Sequence, residues 1–163
     1  MKITGIEAIP LRISDLDWTR ADGVYDDIIV RVRTDAGITG VGEADASPEV
    51  VKALVEAPAS WARCRGLASV VIGEDALHIE RLWDMMYRAT LLMGQGGATM
   101  EAISAIDMAL WDIKGKALGV PVHTLLGGAR RDTIPVHASV LCGKDLGLMR
   151  GRRSAIWPPD TAR

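Results

Sequence analysis

A chain of 163 residues, 48% hydrophobic and 25% charged, can bury a core without disulfides or metal, and its composition excludes wholesale disorder. A net charge of −2 argues against nucleic acid as a partner. The two cysteines, Cys64 and Cys142, form neither a disulfide framework nor a metal knuckle. No apolar run approaches the ~18 residues of a membrane span, and Glu7 interrupts the only apolar stretch near the N-terminus, against a signal peptide. The expectation is a soluble, cytoplasmic protein with no nucleic acid and no membrane among its partners.

Residues 2–13, KITGIEAIPLRI, place Ile3, Ile9, Leu11 and Ile13 on one parity and predict a half-buried strand. Pro10 puts that strand at a sheet edge or a bulge. Ser14 to Asp27, with five aspartates and few apolar groups, reads as a long loop. Ile28 to Thr34 alternates apolar residues with Arg31 and Arg33. The Asp35-Ala36-Gly37 connection then turns the chain into a return strand, Ile38 to Ala44. Gly40 and Gly42 on that strand leave room for something to pack close. The result is an antiparallel meander with one face to be covered.

Helices supply the cover. Ser47-Pro48 predicts an N-cap with proline at the first helical position, Val51, Leu54 and Val55 the buried stripe, and Pro58 the end. After an ambiguous stretch around Leu67 to Ile72, Asp75 is expected to cap a second helix that buries Leu77, Leu82, Met85 and Met86. The strongest helical pattern runs from Thr99 to Leu118, with Ile103, Ile106, Leu110, Ile113 and Ala117 spaced by threes and fours. Asp112 and Lys116 form an exposed pair with the acid first, and Gly119 with Pro121 ends the helix. The fold class is therefore α+β: a three-stranded antiparallel meander followed by a helical bundle. Ile134 to Leu141 reads as one more short strand. Beyond it, residues 142–163 carry five Lys/Arg against two Asp and no period of either kind.

The segment from Ala102 to Gly128, AISAIDMALWDIKGKALGVPVHTLLGG, resembles the end of the N-terminal capping domain in the mandelate racemase and muconate lactonizing group of the enolase superfamily. The likeness rests on Asp107, the Ala109-Leu110-Trp111-Asp112 run, Gly115-Lys116, Pro121 and the closing Leu125-Leu126-Gly127-Gly128. The opening strand, the hairpin VRVRTDAGITGVGEA and IGEDALHIERLWDMMYRA at Ile72 to Ala89 support it. The resemblance implies three stretches. Residues 1–128 are an enolase-like N-terminal domain, 129–141 the start of a truncated (β/α) barrel with a vestigial first strand, and 142–163 an irregular basic tail of non-family sequence.

The resemblance also implies function. The family's barrel holds a divalent metal, usually Mg2+, on three carboxylates, and a Lys or His there removes a proton α to a substrate carboxylate; enolase-superfamily sites are a standing example of that chemistry. The complete enzyme is then a lyase or isomerase of a carboxylate substrate, with acid-sugar dehydration favoured. Lys114-Gly115-Lys116 lies in the helical motif and not on a strand. The chain by itself is accordingly expected to be inactive, with no catalytic residue and no cofactor of its own. The alternative is a stand-alone α+β interaction module that dimerises or docks on a separate barrel chain, forming a homo-oligomer through exposed apolar surface.

By the same resemblance the Ser14–Asp27 loop is a lid over the substrate, with Trp18, Arg20 and Tyr25 as contacts. Asp45, beside Ser47, belongs to a second lid element, and Glu43 faces the mouth of the site. Each residue equally suits a solvated loop or strand end. The aspartates of the first loop lack the glycine and terminal glutamate of a calcium-binding loop. His78, His123 and His137 have no ligand spacing among them. Gly94-Gln95-Gly96-Gly97 lacks a phosphate-loop signature, and Asp107 with Trp111 is expected to be structural.

Overall fold

The computed structural model describes residues 1–12 and 26–136. Three strands come first: β1 (Ile3–Arg12), β2 (Asp26–Thr34) and β3 (Thr39–Ala44), antiparallel in the order β1-β2-β3. Five helices follow: α1 (Pro48–Glu56), α2 (Leu67–Val71), α3 (Ile79–Ala89), α4 (Ala98–Leu118) and α5 (Val122–Leu125). This is the α+β meander and helical bundle that the sequence pattern implies. Asp26 and Asp27 belong to β2 rather than to the acidic loop. Residues 131–136, which fall in a second unit, carry no helix or strand, so the expected strand has no counterpart over 134–136; its remaining residues, 137–141, lie outside the described ones.

The β2–β3 hairpin follows from its turn. Gly37 takes φ 75°, the left-handed position that a three-residue loop needs before the ladder resumes. The Thr34 amide donates to the Ile38 carbonyl, which fixes Arg33 opposite Thr39 and Ile29 opposite Glu43. Ile28, Val30 and Val32 then point into the core and are fully buried.

β1 departs from the simple alternation. Its register shifts between Ile3 and Gly5, a bulge that inserts one residue and reverses the parity. Ile3 is buried, but beyond the bulge Ile6 and Ala8 face inward, while Leu11 is left exposed and Ile9 half-buried. The expected shared parity of Ile3, Ile9 and Leu11 is therefore corrected; Ile13 lies outside the described residues. Pro10 sits on an edge strand as anticipated. It shares its parity with Ala8, whose carbonyl faces away from β2 and accepts from Lys52 Nζ at 3.2 Å, so its missing N–H removes no bond to β2.

α4 covers the sheet. Ile103, Ile106, Leu110 and Ile113 are fully buried, and Gly119 closes the helix in the left-handed conformation at φ 67°. Ala117 is exposed, and Gly115 occupies the inward position instead. A Cβ at Gly115 would press on the Val120 carbonyl as the chain doubles back. Gly40 and Gly42 on β3 let the helix approach until a Cβ at either would overlap the carbonyl oxygens of Ala109 and Ala105. Room left by those glycines is used by the helix backbone.

Two expected caps are built differently. Ser47 holds the N-cap position of α1, yet its side chain makes no capping bond; its carbonyl accepts from Val50 and Val51, and Pro48 fills N1. Asp75 precedes α3 by a full turn, and the N-cap position is His78. The Asp75 carboxylate accepts from the Leu77 amide at 3.1 Å and the N-terminal ammonium at 3.3 Å. The Leu77 hydrogen bond, with the terminal ammonium adding to it, holds the Asp75 carboxyl below its ordinary value. Its work is to tie the start of β1 to the turn before α3, where Ile3 N donates to the Glu74 carbonyl.

Candidate functional site

The end of the sheet where β1 stops at Arg12 and β2 starts at Asp26 gathers acidic side chains. The register explains this. With Ile29 opposite Glu43 and Leu11 opposite Asp27, the period of two puts Asp27 diagonally beside Glu43 on the face turned away from the helices. Asp45 follows β3 directly and is exposed. Glu101, in the first turn of α4, adds a more distant charge.

The carboxylate of Asp27 is the main cause that pushes the Glu43 carboxyl above its ordinary 4.5. Partial loss of water and the charges of Asp45 and, least, Glu101 act in the same direction. On the helix side of this end, Arg12 spans the gap, at 2.7 Å from Glu49 on α1 and 3.7 Å from Asp26. Both ion pairs are exposed and contribute little to stability. They pin the two strand ends from which residues 13–25 depart and to which they return.

Of the five expected lid residues, Glu43 and Asp45 thus stand at one end of the sheet. Trp18, Arg20 and Tyr25 lie outside the described residues. Among the described residues no three His, Cys, Asp or Glu side chains are placed to hold one metal ion. His78 and His123 are exposed and far from this end in sequence; His137 lies outside the described residues. What the arrangement offers chemically is a set of hydrogen-bond acceptors at the root of a thirteen-residue segment (13–25).

The pairing of Asp27 with Glu43 was readable from the sequence. Counting outward from the Asp35–Gly37 turn brings 29 to 43 and sets 27 alongside, although Asp27 ends the acidic stretch that by composition reads as loop.

Glu43 gives a prediction with a definite sign. An acid whose folded value is raised is easiest to tolerate when protonated, so its penalty is absent below its unfolded value and grows as pH rises through the folded one. Glu43→Gln is therefore expected to raise Tm at pH 7 by about 1–3 °C, with the gain vanishing near about pH 4. Thermal melts at the two pH values check it; a lower Tm at pH 7 would contradict the repulsion.

The motif residues behind the family resemblance lie along α4 and the turn that follows it. Trp111 lies one turn after Asp107 on α4, and the Lys114 ammonium lies 5.2 Å from the Trp111 ring centre. Burial first, and then Glu80, push the Asp107 carboxyl upward, with Trp111 acting in the opposite direction. Asp112 and Lys116 pair at 2.7 Å as expected and also contact β3. Gly94 and Gly97 take positive φ in a loop before α4.

A three-stranded meander closed by a long helix, with its acidic end beside a long inter-strand segment, is the architecture of an enolase-type N-terminal domain. Residues 13–127 match the family described as Mandelate racemase / muconate lactonizing enzyme, N-terminal domain, and the chain belongs to that family, within the enolase superfamily. A D-galactonate dehydratase family member of Paenibacillus sp. (strain JDR-2) is 41% identical over 152 residues, covering 91% of this chain and 32% of the relative. The D-galactonate dehydratase of Xanthomonas campestris pv. campestris (strain B100) is 46% identical over 110 residues, 68% of this chain and 27% of that enzyme.

Among solved structures, a member of the enolase superfamily from Polaromonas sp. JS666 superimposes with a TM-score of 0.75 at 36% identity, over 96% of this chain and 42% of that one. The 3,6-anhydro-D-galactonate cycloisomerase from Zobellia galactanivorans gives 0.64 at 34% identity, over 80% and 33%. The chain spans a third or less of the length of these two curated relatives. No helix among the described residues is long and apolar enough to cross a membrane.

Proposed function

We propose that residues 1–128 form the capping domain of an acid-sugar dehydratase, closing over a carboxylate substrate from which a proton α to the carboxylate is removed. The observation that carries this reading is the 46% identity over 110 residues to an enzyme named as a D-galactonate dehydratase. The acidic end suits such a role: a polyhydroxylated acid presents many O–H donors, and Glu43 and Asp45 are carboxylate acceptors for them. Arg20 would meet the substrate carboxylate, and Trp18 and Tyr25 would exclude water.

Divalent metal and proton-abstracting base have no place in this proposal among residues 1–128. Among the described residues no three His, Cys, Asp or Glu side chains are placed to hold one metal ion; in this reading the metal, expected to be Mg2+, sits on carboxylates of the barrel. The 163 residues by themselves are then a lid without chemistry. The test is a graft in which residues 1–128 replace the matching N-terminal segment of the Xanthomonas campestris enzyme, assayed for D-galactonate dehydration. Turnover is expected to survive the exchange.

A further inference from the structure

α1 is tied to β1 at two points. Lys52 Nζ donates to the Ala8 carbonyl at 3.2 Å, and Glu49 Oε1, three residues earlier on the helix, accepts from Arg12 Nη2 at 2.7 Å. Glu49 and Lys52 share a helix face, and Ala8 and Arg12 share a parity on β1. Buried Pro48, Val51 and Val55 hold α1 on the sheet, but apolar contact is non-directional and does not set the position of the helix along the strand. The two polar ties do. Arg12 also lies opposite Asp26 in the ladder, 3.7 Å from its carboxylate. One guanidinium thus joins the end of β1, the start of β2 and the first turn of α1.

Only Asp45, Ala46 and Ser47 separate β3 from α1, so the place of the first turn of α1 sets the place of Asp45 against Glu43 at the end of β3. We infer that Arg12 is a positioning residue for the substrate: without touching it, Arg12 holds Glu49, and through it the start of α1, so that Asp45 and Glu43 stand at a fixed spacing. The inference rests on the proposed role of those two carboxylates as acceptors for substrate hydroxyls. An exposed ion pair adds little to stability, whereas a small misplacement of groups that hold a substrate is costly. The signature of the role is therefore weakened substrate binding in a domain that melts as before.

The experiment is steady-state kinetics with D-galactonate on the Xanthomonas campestris enzyme carrying residues 1–128. Arg12→Ala and Glu49→Ala are each expected to raise KM about five- to tenfold, with kcat within about twofold and Tm within about 2 °C. Glu49→Ala carries the decisive sign, because loss of a negative charge alone would tighten the binding of an anionic substrate. The double variant is expected to be no worse than either single one, and Arg12→Lys, which keeps the charge and a donor, to recover most of the loss. A KM unchanged in both single variants, a KM lowered by Glu49→Ala, or losses that add in the double variant overturn the inference. A graft that is inactive before any substitution counts against the dehydratase reading, and the 163-residue chain then decides on Arg12 by NMR. Arg12→Ala is expected to shift the backbone amide signals of Asp45 and Ser47 and to leave those of Ala36 and Gly37 in place. Unmoved Asp45 and Ser47 signals overturn the positioning role.

Discussion

Gly42→Ala is expected to destabilise the domain by about 3 kcal/mol or more and to lower Tm by about 10 °C. The added methyl would fall inside the van der Waals radius of the Ala105 carbonyl oxygen and against the Ala109 nitrogen. Both obstacles are backbone, so no side chain can swing away. The helix cannot back off cheaply either, because Ile106 and Leu110 beside those carbonyls are fully buried and lifting α4 would open voids under them. A loss of that size is a large part of the ~5–15 kcal/mol that holds a domain together. Differential scanning calorimetry checks it, and a Tm within about 2 °C of the original would mean that α4 does not ride on β3 as described. Gly40 stands in the same relation to Ala109.

The second large effect is expected at Leu110. Its side chain is fully buried, in the same core cluster as Val30 and Val32 of β2. Leu110→Ala removes the apolar atoms and leaves a cavity that the close-set strands can collapse only partly. The expected loss is about 2–5 kcal/mol, toward the upper part where neighbours are rigid. Denaturant unfolding should show a lower midpoint with an unchanged slope. A loss below ~1 kcal/mol would place Leu110 at a surface rather than in the core.

Much of this architecture follows from local signals that agree with one another. The Asp35–Gly37 turn and the alternation of Ile28, Val30 and Val32 fix the hairpin and its register. The three-and-four spacing from Ile103 to Ile113, with Gly119 as its stop, fixes α4. The errors have identifiable causes. A bulge adds one residue between Ile3 and Gly5, where the glycine is a signal that simple alternation passes over, and from there the parity of β1 reverses, sending Leu11 outward. Serine and aspartate are read as helix caps because they often are. Here the Ser47 hydroxyl goes unused by the helix, and Asp75 serves a turn and the chain start instead.

The Asp112–Lys116 pair was readable as an ion pair on one helix face, because that depends on local spacing alone. Its contacts with Val41 and Thr39, 71 and 77 residues away in sequence, depend on where the helix lies against the sheet, which no periodicity reports. The same division holds at the acidic end. The charge of Glu43 and Asp45 is plain in the sequence, while the company of Asp27 that raises the Glu43 carboxyl comes from strand pairing. Family resemblance, in turn, rests on residues of α4 and the turn that ends it, Asp107, Trp111, Gly115 and Gly119 among them.

The most direct measurement is the steady-state kcat/KM for D-galactonate of the Xanthomonas campestris enzyme carrying residues 1–128 of this chain. A capping domain of an acid-sugar dehydratase predicts turnover within about tenfold of the parent, a difference of ~1.4 kcal/mol or less in transition-state stabilisation. A graft that folds and binds Mg2+ like the parent, yet forms no product from D-galactonate or other sugar acids, would contradict the proposed role.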